Sequence, residues 1–310
     1  MPYQPKEQAR IITNSEDTSL LNTLRISPSL EALVETSSPD TLVQKAAEEA
    51  HVVLIDYQYL PSELKEYVPL ARFLTSLRDA NGMKIVLRGY SGDEQIQELE
   101  QAECITDIIS PTDSNTAACL RLKNAFQLFL RDRDSLTKLY NGDYLRKKLK
   151  EEFAHTKIKK KPLSLALFDL DSLKEMNKEH GYDAGNQLIQ AFAAVLKQSY
   201  RKRNEDIPGR WFSGDEFMII SRDTNQEGAY ALPERILQHL KENQIEISGE
   251  KIYISASAGL ATYDGFDQST TVESLVREAN YRLLQAKSQG KNRVCGYREI
   301  AAIPTDFIIK

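Results

Sequence analysis

Over the first 130 residues, short apolar runs alternate with stretches whose apolar positions recur every three or four residues. The runs predict strands at 9–13, 32–36, 51–56, 84–87 and 105–109, and the stretches between them predict helices near 18–26, 40–50, 62–80, 92–102 and 114–131. Five strands alternating with five helices imply an α/β unit, a parallel sheet covered on both faces with functional groups at the C-terminal ends of its strands. The last helix carries an apolar stripe through Ala117, Leu120, Leu122, Ala125, Phe126 and Phe129, and no Pro or Gly separates it from the second half of the chain. That stripe suits packing on the sheet, pairing of two chains, or both. Beyond residue 134 another apolar strand is predicted at 163–168.

Composition narrows the function classes. A chain of 310 residues fits two domains of ordinary size, and 41% hydrophobic with 27% charged residues suits globular units with full cores. The net charge of −5 gives no overall attraction to nucleic acid or anionic membranes. Basic runs at 157–161 and 201–203 are local, and the first reads as an exposed hairpin tip ahead of the 163–168 strand or as a phosphate or partner patch. Cys104, Cys119 and Cys295 lie far apart without metal-ligand spacing, as expected of reduced thiols in a cytoplasmic protein. The N-terminus, MPYQPKEQAR, lacks the apolar core of a signal peptide, and no apolar run approaches the ~20 residues needed to span a bilayer. Neither membrane insertion nor nucleic acid is expected.

The strand–helix order of residues 1–131, with Glu16 and Asp17 after the first strand and Asp56 ending the third, resembles the flavodoxin-like receiver domain of two-component signalling. The resemblance places a phosphate-accepting carboxylate at Asp56. Other groups that it implies are missing: Arg88 stands where a hydroxyl residue is expected, Ser110 stands where a Lys is expected, and Pro61 falls one residue late. A phospho-aspartate without that Lys loses its main cationic partner. Residues 1–131 therefore read as a pseudo-receiver, a platform for protein partners or for homodimer formation, with Asp56 a carboxylate retained at a strand end.

Motifs in the second half carry a more specific likeness. Asp134-Ser-Leu-Thr-Lys-Leu-Tyr-Asn141 opens it, and Asp169-Leu-Asp-Ser-Leu-Lys-Glu-Met-Asn177 comes after the predicted strand. Gly181 and Gly185 come next, then Ser213-Gly214-Asp215-Glu216-Phe217, then Ala286-Lys287-Ser-Gln-Gly-Lys291-Asn-Arg293-Val294. In this order and spacing the segments resemble the GGDEF domains of diguanylate cyclases, over residues 132–298, with 299–310 left as an apolar tail. The tail reads as packing back on the domain or as a partner-binding peptide.

The likeness implies a mostly antiparallel central sheet packed against helices, and a site that joins two GTP molecules with Mg²⁺, one from each of two facing chains. It assigns Asp169 and Asp215 to the metal, Lys174, Lys287 and Lys291 to phosphates, and Asn177 to guanine; Ser213, Gly214 and Glu216 complete the signature. Four departures point to a degenerate site. The signature turn has one residue too many, Phe212-Ser213 standing where one Gly is expected, which would push Asp215 out of register. Asn186 replaces a guanine-reading Asp; an amide sets one donor against a guanine donor, at about 1–3 kcal/mol. Lys178 and Tyr182 replace an Asp and a His.

A second set of residues matches the family's product-binding site. Arg203-Asn-Glu-Asp206 keeps normal spacing to Arg210-Trp211, and Arg235 in Pro233-Glu234-Arg235-Ile236 completes the set. An Arg can donate twice to guanine O6 and N7 and stack on a second base, and an Asp can accept from N1 and N2. The resemblance thus implies a receptor for cyclic di-GMP (c-di-GMP) with a weakened catalytic turn. The alternative is a weak or altered-specificity diguanylate cyclase converting two GTP to c-di-GMP, and a third reading is a scaffold that binds no nucleotide.

Overall fold

The structure is a computed structural model that describes residues 9–26, 32–38, 41–42, 44–46, 50–65, 70, 73–74, 83–90, 99, 105–110, 112–200, 206–212, 214–247 and 249–299. Two compact units divide the chain, Met1–Arg131 and Asp132–Lys310.

In the first unit, β1 (Ala9–Thr13), β2 (Ala32–Thr36), β3 (Val52–Asp56), β4 (Lys84–Arg88) and β5 (Asp107–Ile109) form one parallel sheet in the order β2-β1-β3-β4-β5. Apolar residues alternate between its faces because side chains of a strand point to opposite sides. Ile12, Val53, Ile55, Ile85 and Leu87 join one core. Ile11, Val52, Leu54 and Val86 join the other, beneath α1 (Thr18–Ile26) and α2 (Asn115–Arg131). β4 runs one residue beyond the expected 84–87, so Arg88 belongs to the strand, while β5 starts only at Asp107. The helices expected near 40–50, 62–80 and 92–102 fall largely outside the described residues; a short 3₁₀ turn occupies Ser62–Leu64.

Asp17 caps α1: its Oδ1 accepts the N–H groups of Ser19 and Leu20 at 3.0 and 3.1 Å. The Leu20 amide, with Arg88 adding to it against the cost of burial, holds the Asp17 carboxyl below its ordinary value of 3.8. A depressed acid stabilises the fold fully above its unfolded value, and that contribution is lost as pH falls through the folded-state value. Asp17→Ala is therefore expected to cost about 1 kcal/mol at neutral pH. In pH-dependent denaturation the gap to the unaltered protein should close below pH 3.8.

The second unit is built on a mixed sheet. Its strands are β6 (Leu163–Leu170), β7 (Asp206–Arg210), β8 (Glu216–Arg222), β11 (Ala256–Tyr263) and β12 (Val294–Cys295), in the order β12-β11-β6-β8-β7; all pairs are antiparallel except β11 with β12. A separate hairpin joins β9 (Ile245–Ile247) to β10 (Glu250–Ile252). Central β6 is buried along its whole length. Ala166, Phe168 and Leu170 face the core shared with α5 (Tyr182–Ser199) and α6 (Ala231–Glu242). Leu163, Leu165 and Leu167 face the core under α3 (Gly142–Lys159) and α7 (Val272–Ser288). Asp169 continues the odd-numbered series and so belongs to the α7 face.

The basic run 157–161 is not a hairpin tip. Lys157 and Lys159 lie in the last turn of α3, and Lys160 ends the helix in a left-handed conformation. Cations there oppose the helix dipole's negative end, and nothing in the local sequence breaks the helix sooner. Among the described residues no helix is long and apolar enough to cross a membrane. Cys119 and Cys295 are buried thiols outside any disulfide, and Cys104 lies outside the described residues, as does the tail from residue 300.

Candidate functional site

The signature lies in the β7–β8 hairpin. Arg210 pairs with Phe217 across β7–β8, Glu216 faces Asp169 across β8–β6, and the Leu170 N–H donates to the Asp215 carbonyl at 3.3 Å. The turn that leads to Asp215 thus begins beyond the Arg210–Phe217 pair. Gly214 there takes φ +101°, a conformation that favours glycine, and Phe212 is 53% exposed. Ser213 lies outside the described residues.

Arg210 closes the base of this turn. Its Nε and Nη2 donate to the Gly214 carbonyl at 3.1 and 2.8 Å, and its Nη1 lies 3.2 Å from Asp134 Oδ2. Asp134 Oδ1 in turn accepts the Thr137 N–H and hydroxyl at 2.8 and 2.7 Å. The opening motif is thus a brace for the turn.

Asp169, 6% exposed, sits at the end of β6 with Lys287 Nζ of α7 at 2.5 Å. Burial raises the Asp169 carboxyl above its ordinary range and Lys287 opposes the rise, while Asp215 and Asp171 add to it. Burial also raises Glu216, with Asp169 and Asp215 contributing. These carboxylates share a field that one lysine only partly neutralises, a donor set that fits Mg²⁺, a hard cation held by oxygen. Among the described residues no three His, Cys, Asp or Glu side chains form a closed metal group. Mg²⁺ would rest on Asp169 and Asp215 together with phosphate oxygens, as it commonly does.

The remaining predicted groups lie on the two helices after β6 and in the turn after α7. Lys174 and Asn177 belong to α4 (Leu173–His180), Asn186 belongs to α5, and Lys174 and Asn186 are exposed. Gly185 lets the two helices meet: a Cβ there would stand 1.9 Å from Asn177 Oδ1. Lys291 is exposed in the turn after α7, with φ +60°. Sequence reasoning misses Asp171, whose carboxylate accepts three hydrogen bonds, from Ser255, Ser257 and the Asn292 N–H. Only its place in the Asp169-Leu-Asp171 motif marks it.

Two of the three ligand-site candidates line one cavity. Asp206, 3% exposed at the start of β7, and Arg235 of α6 border a space of about 360 Å³ with Ser221, Thr224, Asn225 and Leu232. The Arg235 guanidinium donates to the Ser199 carbonyl at the end of α5. Arg203 lies outside the described residues.

In the first unit, Asp56 is 1% exposed and its Oδ2 accepts from Ser15 Oγ at 2.8 Å and Arg88 Nη1 at 2.6 Å. Arg88 Nη2 reaches Asp17 Oδ2 at 2.9 Å, while Glu16 is exposed. The residue in the hydroxyl position is therefore the counterion of the acidic pair. Ser110 spends its hydroxyl on Thr112.

The family described as "Diguanylate cyclase, GGDEF domain" matches residues 131–293, over half of the 310-residue chain. Diguanylate cyclase A of Treponema denticola is 29% identical over 203 residues, covering 64% of this chain and 53% of its own. A diguanylate cyclase of Vibrio cholerae is 32% identical over 170 residues, covering 55% and 51%. The chain thus spans about half the length of these curated relatives. Among solved structures, the coiled coil and GGDEF domain of DgcB from Caulobacter crescentus, in complex with c-di-GMP, has a similar fold. Its TM-score is 0.53 at 22% identity, covering 64% of this chain and 98% of that one. With its motifs placed on the strands, hairpin and turns described above, the chain belongs to the GGDEF family of diguanylate cyclase domains.

Proposed function

We propose that this protein is a c-di-GMP receptor that binds the ligand at Asp206, Arg235 and Arg203 and couples it to protein partners through its receiver-like N-terminal unit. The observation that carries the reading is the cavity bordered by both Asp206 and Arg235. Those residue types suit guanine: a guanidinium donates to O6 and N7, and a carboxylate accepts from N1 and N2. C-di-GMP offers two guanines, so an intercalated dimer would give the site more than one base to grip. The pseudo-receiver serves as docking or dimerising platform in the cytoplasm, and Asp56, engaged by Arg88, does not act as phospho-acceptor.

A second reading is favoured by one observation. Asp169, Asp215, Glu216 and Lys287 remain together at the end of the sheet, so a weak diguanylate cyclase, or one of altered base choice through Asn186, fits the second unit as well. The lengthened tip and Asn186 weigh against efficient turnover. Purified full chain is expected to bind c-di-GMP in calorimetric titration and to yield negligible c-di-GMP from GTP and Mg²⁺ by product chromatography. Turnover comparable to an ordinary cyclase, or no c-di-GMP binding, would defeat the receptor reading.

A further inference from the structure

We propose that Asp171 is a positioning residue of the nucleotide cleft: its carboxylate fixes the turn at residues 290–293, and with it Lys291, beside Asp169 and Lys287. The proposal is independent of the receptor reading, which concerns Asp206 and Arg235, and a different ligand reports on each site.

Asp171 comes directly after the last residue of β6 and is 8% exposed. Its Oδ1 accepts from Ser257 Oγ at 2.8 Å, and its Oδ2 accepts from Ser255 Oγ at 2.8 Å and from the Asn292 N–H at 3.0 Å. The Asp171 N–H donates to the Ser255 carbonyl at 2.9 Å. One buried carboxylate therefore joins the end of β6, the start of β11 and the turn leaving α7. Both oxygens accept from protein donors, so this carboxylate, two residues from Asp169, ties chain segments together.

The turn it holds is conformationally costly. Gly290, Lys291 and Asn292 have φ of +110°, +60° and +47° in succession, and Ser172, beside Asp171, has +67°. Left-handed backbone at non-glycine residues persists where surrounding contacts over-determine it, and such residues gather at ligand sites. Here the contacts are the Asn292 N–H on Asp171, the Lys291 N–H on the Ala286 carbonyl at 3.0 Å, and the Ala258 N–H on the Arg293 carbonyl at 2.9 Å. Together they bring exposed Lys291 and Arg293 to the same corner as Lys287 and Asp169. Cations on a rigid turn near clustered carboxylates are an arrangement for a polyphosphate carried with a divalent cation.

Charge and geometry can be separated at Asp171. In Asp171→Asn the amide oxygen can take the Oδ2 place, keeping Ser255 and the Asn292 N–H, while the amide nitrogen donates to the Ser257 hydroxyl, which can rotate to accept. All three links survive without the charge. In Asp171→Ala all three are lost. The full chain is titrated with a fluorescent non-hydrolysable GTP analogue and Mg²⁺. Asp171→Ala is expected to weaken binding at least about tenfold, the loss of one good hydrogen bond to a charged group, and so is Lys291→Ala. Asp171→Asn should bind like the unaltered protein, whereas Asp169→Asn should not. Hydrogen exchange at residues 290–293 should quicken in Asp171→Ala and stay slow in Asp171→Asn, and c-di-GMP affinity should be unchanged in both. Should Asp171→Ala fail to fold, the contrast between Asp171→Asn and Asp169→Asn decides. Equal losses in those two variants, unaltered binding by a folded Asp171→Ala, or no analogue binding by the unaltered protein would overturn the proposal.

Discussion

Arg88→Ala is expected to destabilise the N-terminal unit by about 3–5 kcal/mol, the usual cost of removing one partner of a buried ion pair. Asp56 is 1% exposed, and Arg88 supplies the cation at its Oδ2 while also holding Asp17. Ser15 Oγ remains after the substitution and supplies a donor, but no charge. Hydrogen exchange of the β3 and β4 amides in the full chain measures the destabilisation. The double variant Asp56→Ala/Arg88→Ala should recover much of the loss, because no buried charge is left behind. A cost below about 1 kcal/mol would place the pair among ordinary surface ion pairs. Acetyl phosphate should leave Asp56 unmodified by mass spectrometry in the unaltered chain, since its carboxylate is buried and already engaged by Ser15 and Arg88.

The elements of the first unit that are legible in the sequence are those whose burial is written locally. Val52 to Ile55 are apolar without interruption, as a strand covered on both faces must be, and the β6 run 163–168 is apolar but for Ser164. What the chain order conceals is pairing through space. In sequence Arg88 counts only as a missing hydroxyl, and the fold alone shows that it answers Asp56, 32 residues away. Arg210 and Asp134 are parts of motifs without a stated task until 76 residues of chain fold them together. The β7–β8 ladder runs up to the Arg210–Phe217 pair, so the segment carrying Phe212 and Gly214 lies beyond the sheet, where local sequence says least about placement. The lysine run at 157–161 misleads because its composition suggests an exposed turn, while α3 needs cations at its C-terminal end.

The ligand site yields the second large effect. Arg235→Ala, Arg203→Ala and Asp206→Ala are each expected to weaken c-di-GMP binding at least about tenfold, one bidentate guanine contact being worth about 1–3 kcal/mol. The intercalated ligand could use a guanidinium more than once, so the arginine losses should be the larger. Arg235→Ala also removes the bond to the Ser199 carbonyl, which could loosen the end of α5 without touching ligand. Arg235→Lys separates these effects: an ammonium can still reach a carbonyl, but it offers neither the planar fork nor the stacking face that guanine needs. Binding should therefore fall in Arg235→Lys while the melting temperature holds. Asp206 is buried, and Asp206→Asn keeps its volume while setting one donor against a guanine donor, so it should weaken binding with little structural cost. Asp169→Ala should leave c-di-GMP affinity unchanged, because Asp169 pairs with Lys287 and does not border the Asp206–Arg235 cavity. Calorimetry on this series assigns the ligand to one place. Loss of binding in Asp169→Ala with retention in Arg235→Ala would move c-di-GMP to the cleft between the signature hairpin and Lys287, and would turn the receptor reading into that of a product-bound cyclase.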